Sequence, residues 1–249
     1  MLFIDGSWLY ANTPRLSQLY GQDFKMDYEN LPNVLASEVR QQLRCTHVDV
    51  VRTYLFGSYA SNYDPKDEFI AVRRMSFYEK IKEEFHYEVE AFPINYFGHP
   101  LKRIPDEPFH PKEKCVDIAL ATKMLYFAAI PYVYDIAIAV VGDQDFKPLL
   151  QSVRKLGKRV AIASIRGSCA ADLADPHNNA KVRDFEMIWL DALLDRLQLR
   201  YERQQRECQS ATHVGDRTVW SDFRPRKGQR FYCDECRTDF KKLKQRAIA

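Results

Sequence analysis

The most constraining feature of the sequence is a run of six apolar residues, Ile136–Val141, which ends at a glycine followed by two aspartates. A continuous apolar run of this length is typical of a strand that is buried on both faces of a parallel sheet. Asp143 and Asp145 follow it, so they lie where open α/β sheets hold their ligands, at the carboxyl ends of the strands. The chain begins in the same way, because the short apolar run Leu2–Ile4 is followed at once by Asp5.

A predicted helix brings a fourth carboxylate to the same edge. Glu113–Ala129 is rich in alanine and contains no glycine or proline, which favours a helix of about four turns. In a right-handed crossover, the helix that precedes a parallel strand begins at the carboxyl edge of the sheet. Asp117 lies in the first turn of this helix. Because like charges repel, carboxylates gathered at one edge suggest a divalent cation between them.

The rest of the chain alternates between predicted strands and helices. Strands are predicted at Leu2–Ile4, His47–Phe56, Tyr87–Ile94, Ile136–Val141 and Arg159–Ser164. Helices are predicted between them at Leu31–Leu43, Pro65–Phe85, Glu113–Ala129 and Phe146–Leu156. This order predicts an α/β fold with a mostly parallel sheet and helices on both faces. Asp184–Leu190 would add an edge strand, and Asp191–Gln205 is predicted to form a charged closing helix.

Composition indicates a globular protein of a reducing compartment. The 249 residues are 46% hydrophobic and 29% charged, which is enough for one large domain with an appendage. No apolar stretch is long enough to span a membrane, and Asp5 interrupts the first apolar run, so neither a membrane span nor a signal peptide is expected. Six scattered cysteines without a secretion signal argue against a disulfide framework, and we expect a cytoplasmic location.

Charge is distributed unevenly along the chain. Phe223–Ala249 contains nine Lys or Arg residues against three acids, a net charge of +6, and the whole chain carries +3, which leaves −3 for the remainder. A basic tail on an acidic body suggests an anionic partner held by the tail, although a solvated terminal segment is the alternative. We place the boundary where apolar periodicity stops, between a body at residues 1–203 and a basic C-terminal tail at residues 204–249.

The tail contains one CxxC motif, Cys233–Cys236, flanked by aromatic and basic residues. One such motif supplies half of a tetrahedral zinc site. Cys208 and His213 would complete the site within the chain, and a second copy of the chain would complete it equally. The alternative is a metal-free tail with two free thiols.

Three segments resemble the signatures of NYN domains, a branch of the PIN-like nucleases: Phe3–Gly6, Glu113–Asp117 and Val141–Phe146. The resemblance covers about residues 1–195. It implies a Rossmann-like fold and metal-dependent cleavage of RNA, with Mg²⁺ or Mn²⁺ as the cofactor. Carried over by position, it implies a catalytic and metal-binding set, called here the acidic cluster, that consists of Asp5, Asp117, Asp143 and Asp145.

The sequence departs from the family pattern beside this cluster. A position that is commonly Asn in the family is Trp8, and a position that is often Asp is Thr122. Trp8 either stacks on a base of single-stranded RNA or packs under the first helix. The other candidates for substrate binding are Lys114, Arg103 and Lys147, and for Lys114 a purely solvated position is the alternative.

We therefore expect a metal-dependent endoribonuclease that binds RNA, preferably single-stranded. One alternative is a catalytically degenerate RNA-binding or scaffold protein with the same fold, as the substitutions at Trp8 and Thr122 suggest. Another is a phosphatase or small-nucleotide hydrolase that uses the same metal chemistry. The tail would bind RNA, a protein partner or a second subunit.

Overall fold

The structure is a computed structural model that describes residues 1–20, 24–102, 111, 113–201, 203–223, 225 and 230–239. The chain divides into two units, Met1–Gln198 and Leu199–Ala249. In the described part of the chain, no helix is both long enough and apolar enough to cross a membrane.

Six strands of the first unit form one parallel sheet. They are β1 (Leu2–Asp5), β2 (Thr53–Ser61), β3 (Glu88–Asn95), β4 (Ile136–Val140), β5 (Arg159–Ser164) and β6 (Ile188–Trp189). Their order across the sheet is β3-β2-β1-β4-β5-β6, and every neighbouring pair is parallel. This is the strand order of a Rossmann-like doubly wound fold, so the predicted α/β class is confirmed. The order reverses direction between β1 and β4.

Helices cover both faces of the sheet. The described helices of this unit are α1 (Gly6–Tyr20), α2 (Leu31–Leu43), α3 (Glu68–Glu84), α4 (Val116–Ala129), α5 (Lys147–Lys155), α6 (Ala171–Ala174) and α7 (Leu194–Leu197). On one face, Ile4 packs in a core with residues of α1, α2 and α3. On the other face, Phe3 packs in a core with residues of α4 and α5. Successive residues of a strand point to opposite faces, so each central strand is buried on both sides and needs a continuous apolar sequence.

Strand β2 lies farther along the chain than the predicted segment His47–Phe56. Its pairing with β1 begins at Thr53, and Val51 before it is 55% exposed. Asp5, the last residue of β1, lies opposite Phe56, whereas the pairing of β2 with β3 continues to Ser61. The second strand therefore extends past the carboxyl end of β1, beside the acidic cluster.

Helix α1 is not among the helices that the sequence predicts. Pro14 lies inside this helix, and the hydroxyl of Thr13 donates to the carbonyl of Leu9 at 3.1 Å. Pro and Thr have low helix propensity, so local sequence gave no clear signal. Leu9 and Leu16 are fully buried, and their burial stabilises the helix against the sheet.

The predicted closing helix at Asp191–Gln205 is wrong. Helix α7 is a single turn whose buried residues are Leu194 and Leu197. The polar residues that follow offer no apolar face for a longer helix to bury, and tertiary packing is what normally stabilises helices. In the second unit, β7 (Gln204–Glu207) instead pairs antiparallel with β8 (Thr218–Ser221).

Candidate functional site

The acidic cluster lies at the carboxyl edge of the sheet, where the strand order reverses between β1 and β4. Open α/β sheets bind ligands at such a switch point, because the flanking helices diverge there and leave a crevice. Asp5 is the last residue of β1, and Asp143 lies three residues beyond the end of β4. The neighbouring side chains come from the start of α4 and from the extension of β2.

Asp5 is the buried member of the acidic cluster. Its side chain is 5% exposed, and its Oδ1 accepts the backbone N–H of Trp8 at 2.9 Å. Burial raises the pKa of the Asp5 carboxyl to about 7, and the nearby charges of Asp117 and Glu113 raise it further against the opposing effect of the backbone hydrogen bonds. The free carboxyl therefore holds its proton to near neutral pH, and a positive charge beside it would favour the ionised form.

Asp117 interacts electrostatically both with the buried Asp5 and with the exposed Asp143 and Asp145. The predicted helix start at Glu113 is wrong by three residues: Cys115 adopts a left-handed conformation with φ 76°, and α4 begins at Val116. Asp117 is thus the second residue of the helix. Burial raises the pKa of its carboxyl, as do the charges of Glu113, Asp143 and Asp145 in that order.

Asp143 and Asp145 are exposed on the turn between β4 and α5. The Oδ1 atom of Asp143 accepts the backbone N–H of Asp145 at 3.1 Å, which caps a 3-10 turn at Gln144–Phe146. Such a cap is a common structural role for aspartate, and here it also fixes the direction of the Asp143 side chain.

Glu113 is an additional acid that the sequence analysis did not assign to the site. The hydroxyl of Ser58 donates to its Oε2, and the hydroxyls of Ser7 and Ser58 lie 3.3 Å apart. Because Ser58 has a single O–H, Ser7 is the donor in the second bond. Glu113 is therefore held at the carboxyl edge by the first turn of α1 and by the extended end of β2. It opens the same sequence motif as Asp117, which is the signal that would have identified it.

Trp8 packs at the base of the crevice. Its Nε1 donates to the carbonyl of Ser168 at 3.2 Å. A Cβ atom at Gly142 would lie 2.2 Å from that nitrogen, so only glycine allows the indole to approach β4 this closely. The side chain remains partly exposed.

The candidate substrate-binding cations differ in their surroundings. Lys114 is exposed beside the start of α4. The Nζ of Lys147, in the first turn of α5, lies 2.5 Å from Oδ2 of Asp172. Arg103 lies outside the described residues. The position of Thr122, on α4, is exposed.

The donors of the acidic cluster fit a hard divalent cation. Mg²⁺ and Mn²⁺ prefer carboxylate oxygens. The pKa values of the Asp5 and Asp117 carboxyls are raised chiefly by burial and further by neighbouring acids, and a cation would offset both effects. The oxygens are more widely spaced than in a closed site. In the described part of the chain, one group of residues has candidate ligand atoms that all lie within 4.8 Å of one another. None of its members belongs to the acidic cluster. A cation that keeps several water ligands suits this wider spacing.

This group of closely spaced ligand atoms belongs to the second unit. It consists of Cys208, His213, Cys233 and Cys236, the four residues that the sequence analysis proposed as zinc ligands. Most of the basic residues of the tail lie outside the described residues, namely Arg224, Arg226, Lys227, Lys241, Lys242, Lys244 and Arg246.

A comparison with known protein families agrees with the fold. The family model of the NYN domain matches residues 1–181. A crystal structure of a protein of unknown function from Vibrio parahaemolyticus RIMD 2210633 is 18% identical over 80% of this chain and 94% of its own, with a TM-score of 0.44. A similarity of that size adds nothing about function, and no curated protein matches the sequence. NYN domains are nuclease-like. The family model matches well over half of the chain, and the chain therefore belongs to the NYN domain family.

Proposed function

We propose that the protein is a metal-dependent endoribonuclease that hydrolyses RNA phosphodiester bonds at the acidic cluster. The observation that carries the proposal is the buried Asp5 carboxyl, whose pKa is about 7 beside Asp117 and Glu113. Burial of a carboxyl among other acids is costly in the free protein. The same arrangement favours a divalent cation, because the cation removes the repulsion and permits ionisation.

Asp5 and Asp143 are the best direct ligands, because each has a side chain fixed by a backbone N–H. Asp117 and Asp145 would bind the cation directly or through water. When bound, Mg²⁺ or Mn²⁺ supplies an activated water and offsets the negative charge that builds up on the phosphate. One or two ions are compatible with four carboxylates.

Glu113 has the geometry of a general base. Its carboxylate is exposed, and the hydroxyl of Ser58 donates to one of its oxygens. This exposed carboxylate interacts with Asp117 and would accept a proton from the attacking water. The buried position of Ser58 keeps this orientation constant.

Substrate contacts follow from the residues around the crevice. Lys114, which is exposed beside the start of α4, would contact a phosphate of the RNA. Lys147 forms an exposed ion pair with Asp172. Because exposed ion pairs contribute little to stability, Lys147 would lose little free energy on leaving Asp172 to bind a phosphate. The partly exposed ring of Trp8 offers a surface for a base, which favours single-stranded RNA.

A second candidate is an RNA-binding protein of the same fold without cleavage activity. Two observations favour it. The oxygens of the acidic cluster do not form a tight ligand group, and Thr122 replaces a carboxylate that family members often have. A protein of this kind would keep the crevice and the cationic contacts but would not hold a metal.

The discriminating experiment is cleavage of labelled single-stranded RNA by the full chain with Mn²⁺, with Mg²⁺ or with EDTA. We expect endonucleolytic products with either cation and none with EDTA. Asp143→Asn should abolish cleavage, because a neutral amide keeps the shape of the side chain but not the charge that a hard cation requires. Binding of RNA in EDTA should remain.

Asp135→Asn is the matched control, because Asp135 is an exposed aspartate at the opposite, amino end of β4. It should cleave like the parent chain. Equal cleavage by Asp143→Asn would refute the proposed site, and retained RNA binding without any cation-dependent cleavage by the parent chain would favour the second candidate.

A further inference from the structure

Four side chains of types that ligate metals converge in the second unit, and none of them belongs to the acidic cluster. The Sγ atoms of Cys233 and Cys236 each lie 3.4 Å from Nδ1 of His213. Cys208 completes the group, and all four ligand atoms lie within 4.8 Å of one another. We propose that these four residues bind one Zn²⁺ ion, and that this ion holds the second unit in its fold.

The distances between the ligand atoms suit a tetrahedral zinc ion. Bonds of about 2.3 Å to sulfur and about 2.0 to 2.1 Å to nitrogen place a thiolate and an imidazole nitrogen roughly 3.5 Å apart. Both of the sulfur–nitrogen distances are close to this value. Three cysteines and one histidine are also a standard ligand set for structural zinc.

The hydrogen-bond partners of His213 and Cys208 favour the forms of these side chains that bind a metal. The Nε2 atom of His213 lies 2.9 Å from the carbonyl oxygen of Asp216, which can only accept, so the imidazole carries its proton there and leaves Nδ1 free. The backbone N–H of Cys233 donates to Sγ of Cys208 at 3.3 Å. A bond of this kind stabilises the thiolate form that binds zinc.

The backbone holds the two halves of the site together. The N–H of Cys208 donates to the carbonyl of Arg217 at 2.8 Å, which joins the two strands of the β7–β8 hairpin. The N–H of Gln209 donates to the carbonyl of Phe231 at 2.9 Å, and the side chain of Gln209 accepts the N–H of Phe231 at 3.2 Å. These bonds place the loop with Cys208 next to the segment that leads into Cys233.

The second unit has little else to stabilise it. Among its described residues, those that are buried are Cys208, Ser221, Phe231 and Cys233. Two of the four are proposed ligands, so the interior of the unit is largely the ligand group itself. A segment of this size with so small an apolar core normally needs a metal or disulfides to fold. Because the protein supplies all four ligands, the site has no open position for catalysis.

The test is zinc analysis of the full chain, purified under reducing conditions without a metal-binding tag. We expect about one zinc ion per chain. The zinc content of Cys236→Ser and of Cys208→Ser should be lower by roughly tenfold or more. Cys45→Ser is the matched control, since Cys45 is an exposed cysteine of the first unit, and its zinc content should equal that of the parent chain.

A second measurement covers the case in which a ligand variant fails to fold. Parent chain stripped with a chelator is titrated with Co²⁺, and binding through thiolates in tetrahedral geometry should give sulfur-to-cobalt charge-transfer and d–d bands that saturate at one equivalent. Limited proteolysis should show faster cleavage after Gln198 once the metal is removed, with the first unit unaffected. Absence of zinc together with absence of the cobalt bands would overturn the proposal, as would a disulfide among the four residues.

Discussion

Replacement of Asp5 by Asn should stabilise the metal-free protein, and the gain should increase with pH. The folded-state pKa of Asp5 is about 7, against the ordinary 3.8, chiefly because the carboxyl is buried. Below about pH 4 the carboxyl is neutral in both the folded and the unfolded chain, so it contributes no difference. As the pH rises toward 7, the unfolded chain loses this proton while the folded chain keeps it, and the free energy of unfolding falls.

The magnitude follows from the same two values. At about 1.4 kcal/mol for each pH unit, the difference between 3.8 and about 7 corresponds to about 4 kcal/mol above neutral pH. Asparagine cannot ionise, so the variant avoids this cost, and its Oδ1 can still accept the N–H of Trp8. We expect little difference from the parent chain near pH 4 and a gain that approaches this figure at about pH 8.

The assay is urea unfolding followed by far-ultraviolet circular dichroism, in EDTA, at several values from about pH 4 to about pH 8. Glu79→Gln, an exposed acid on α3, controls for the loss of one negative charge and should show no growing gain. Addition of Mn²⁺ should stabilise the parent chain and not Asp5→Asn, since ligand binding to the folded state alone raises stability. A gain that is the same at every pH would refute the reasoning, because it would not come from ionisation.

Three further predictions concern packing, an ion pair and the tail. Gly142→Ala should lower stability by about 1 to 3 kcal/mol in thermal or urea unfolding, because its Cβ would lie 2.2 Å from Nε1 of Trp8. Asp184→Asn should cost about 1 to 3 kcal/mol in the same assay, because this carboxylate accepts bonds from Arg154 and from a backbone N–H of β5; an unchanged midpoint would contradict this. Truncation after Asp222 should weaken RNA binding and flatten its dependence on salt, measured by titration at several ionic strengths, because it removes Phe223–Ala249, which carries a net charge of +6.

The sequence was most informative where structure is locally encoded. The apolar run of β4 and the Asp143 that follows it needed no long-range information, because a strand buried on both faces must be continuously apolar. Asp5 was identified on the same grounds. Their meeting at one edge followed from the chirality of parallel connections rather than from any single residue.

The elements that were missed depend on long-range pairing. The extension of β2 exists because β3 continues beside it after β1 has ended, and nothing near Ser58 in the sequence indicates this. The contact between Ser58 and Glu113 follows from that extension. The Glu113–Asp117 motif marks Glu113 in the sequence, but its hydrogen bond with Ser58 was not predictable without the sheet register. Helix α1 was missed for a different reason, since tertiary burial of Leu9 and Leu16 outweighs its poor local propensity.

Because of the position of Trp8, the intrinsic tryptophan fluorescence of the protein should respond to changes at the candidate site. The indole donates to the loop after β5 and adjoins Gly142 beyond β4, and the backbone N–H of Trp8 donates to Asp5 at the end of β1. The chain has two other tryptophans, Trp189 and Trp220, and Trp220 is 63% exposed, so its emission should resemble that of tryptophan in water. A cation that draws the carboxylates together would alter the surroundings of Trp8, and the fluorescence of the unlabelled protein would then record occupancy of the site without RNA or turnover.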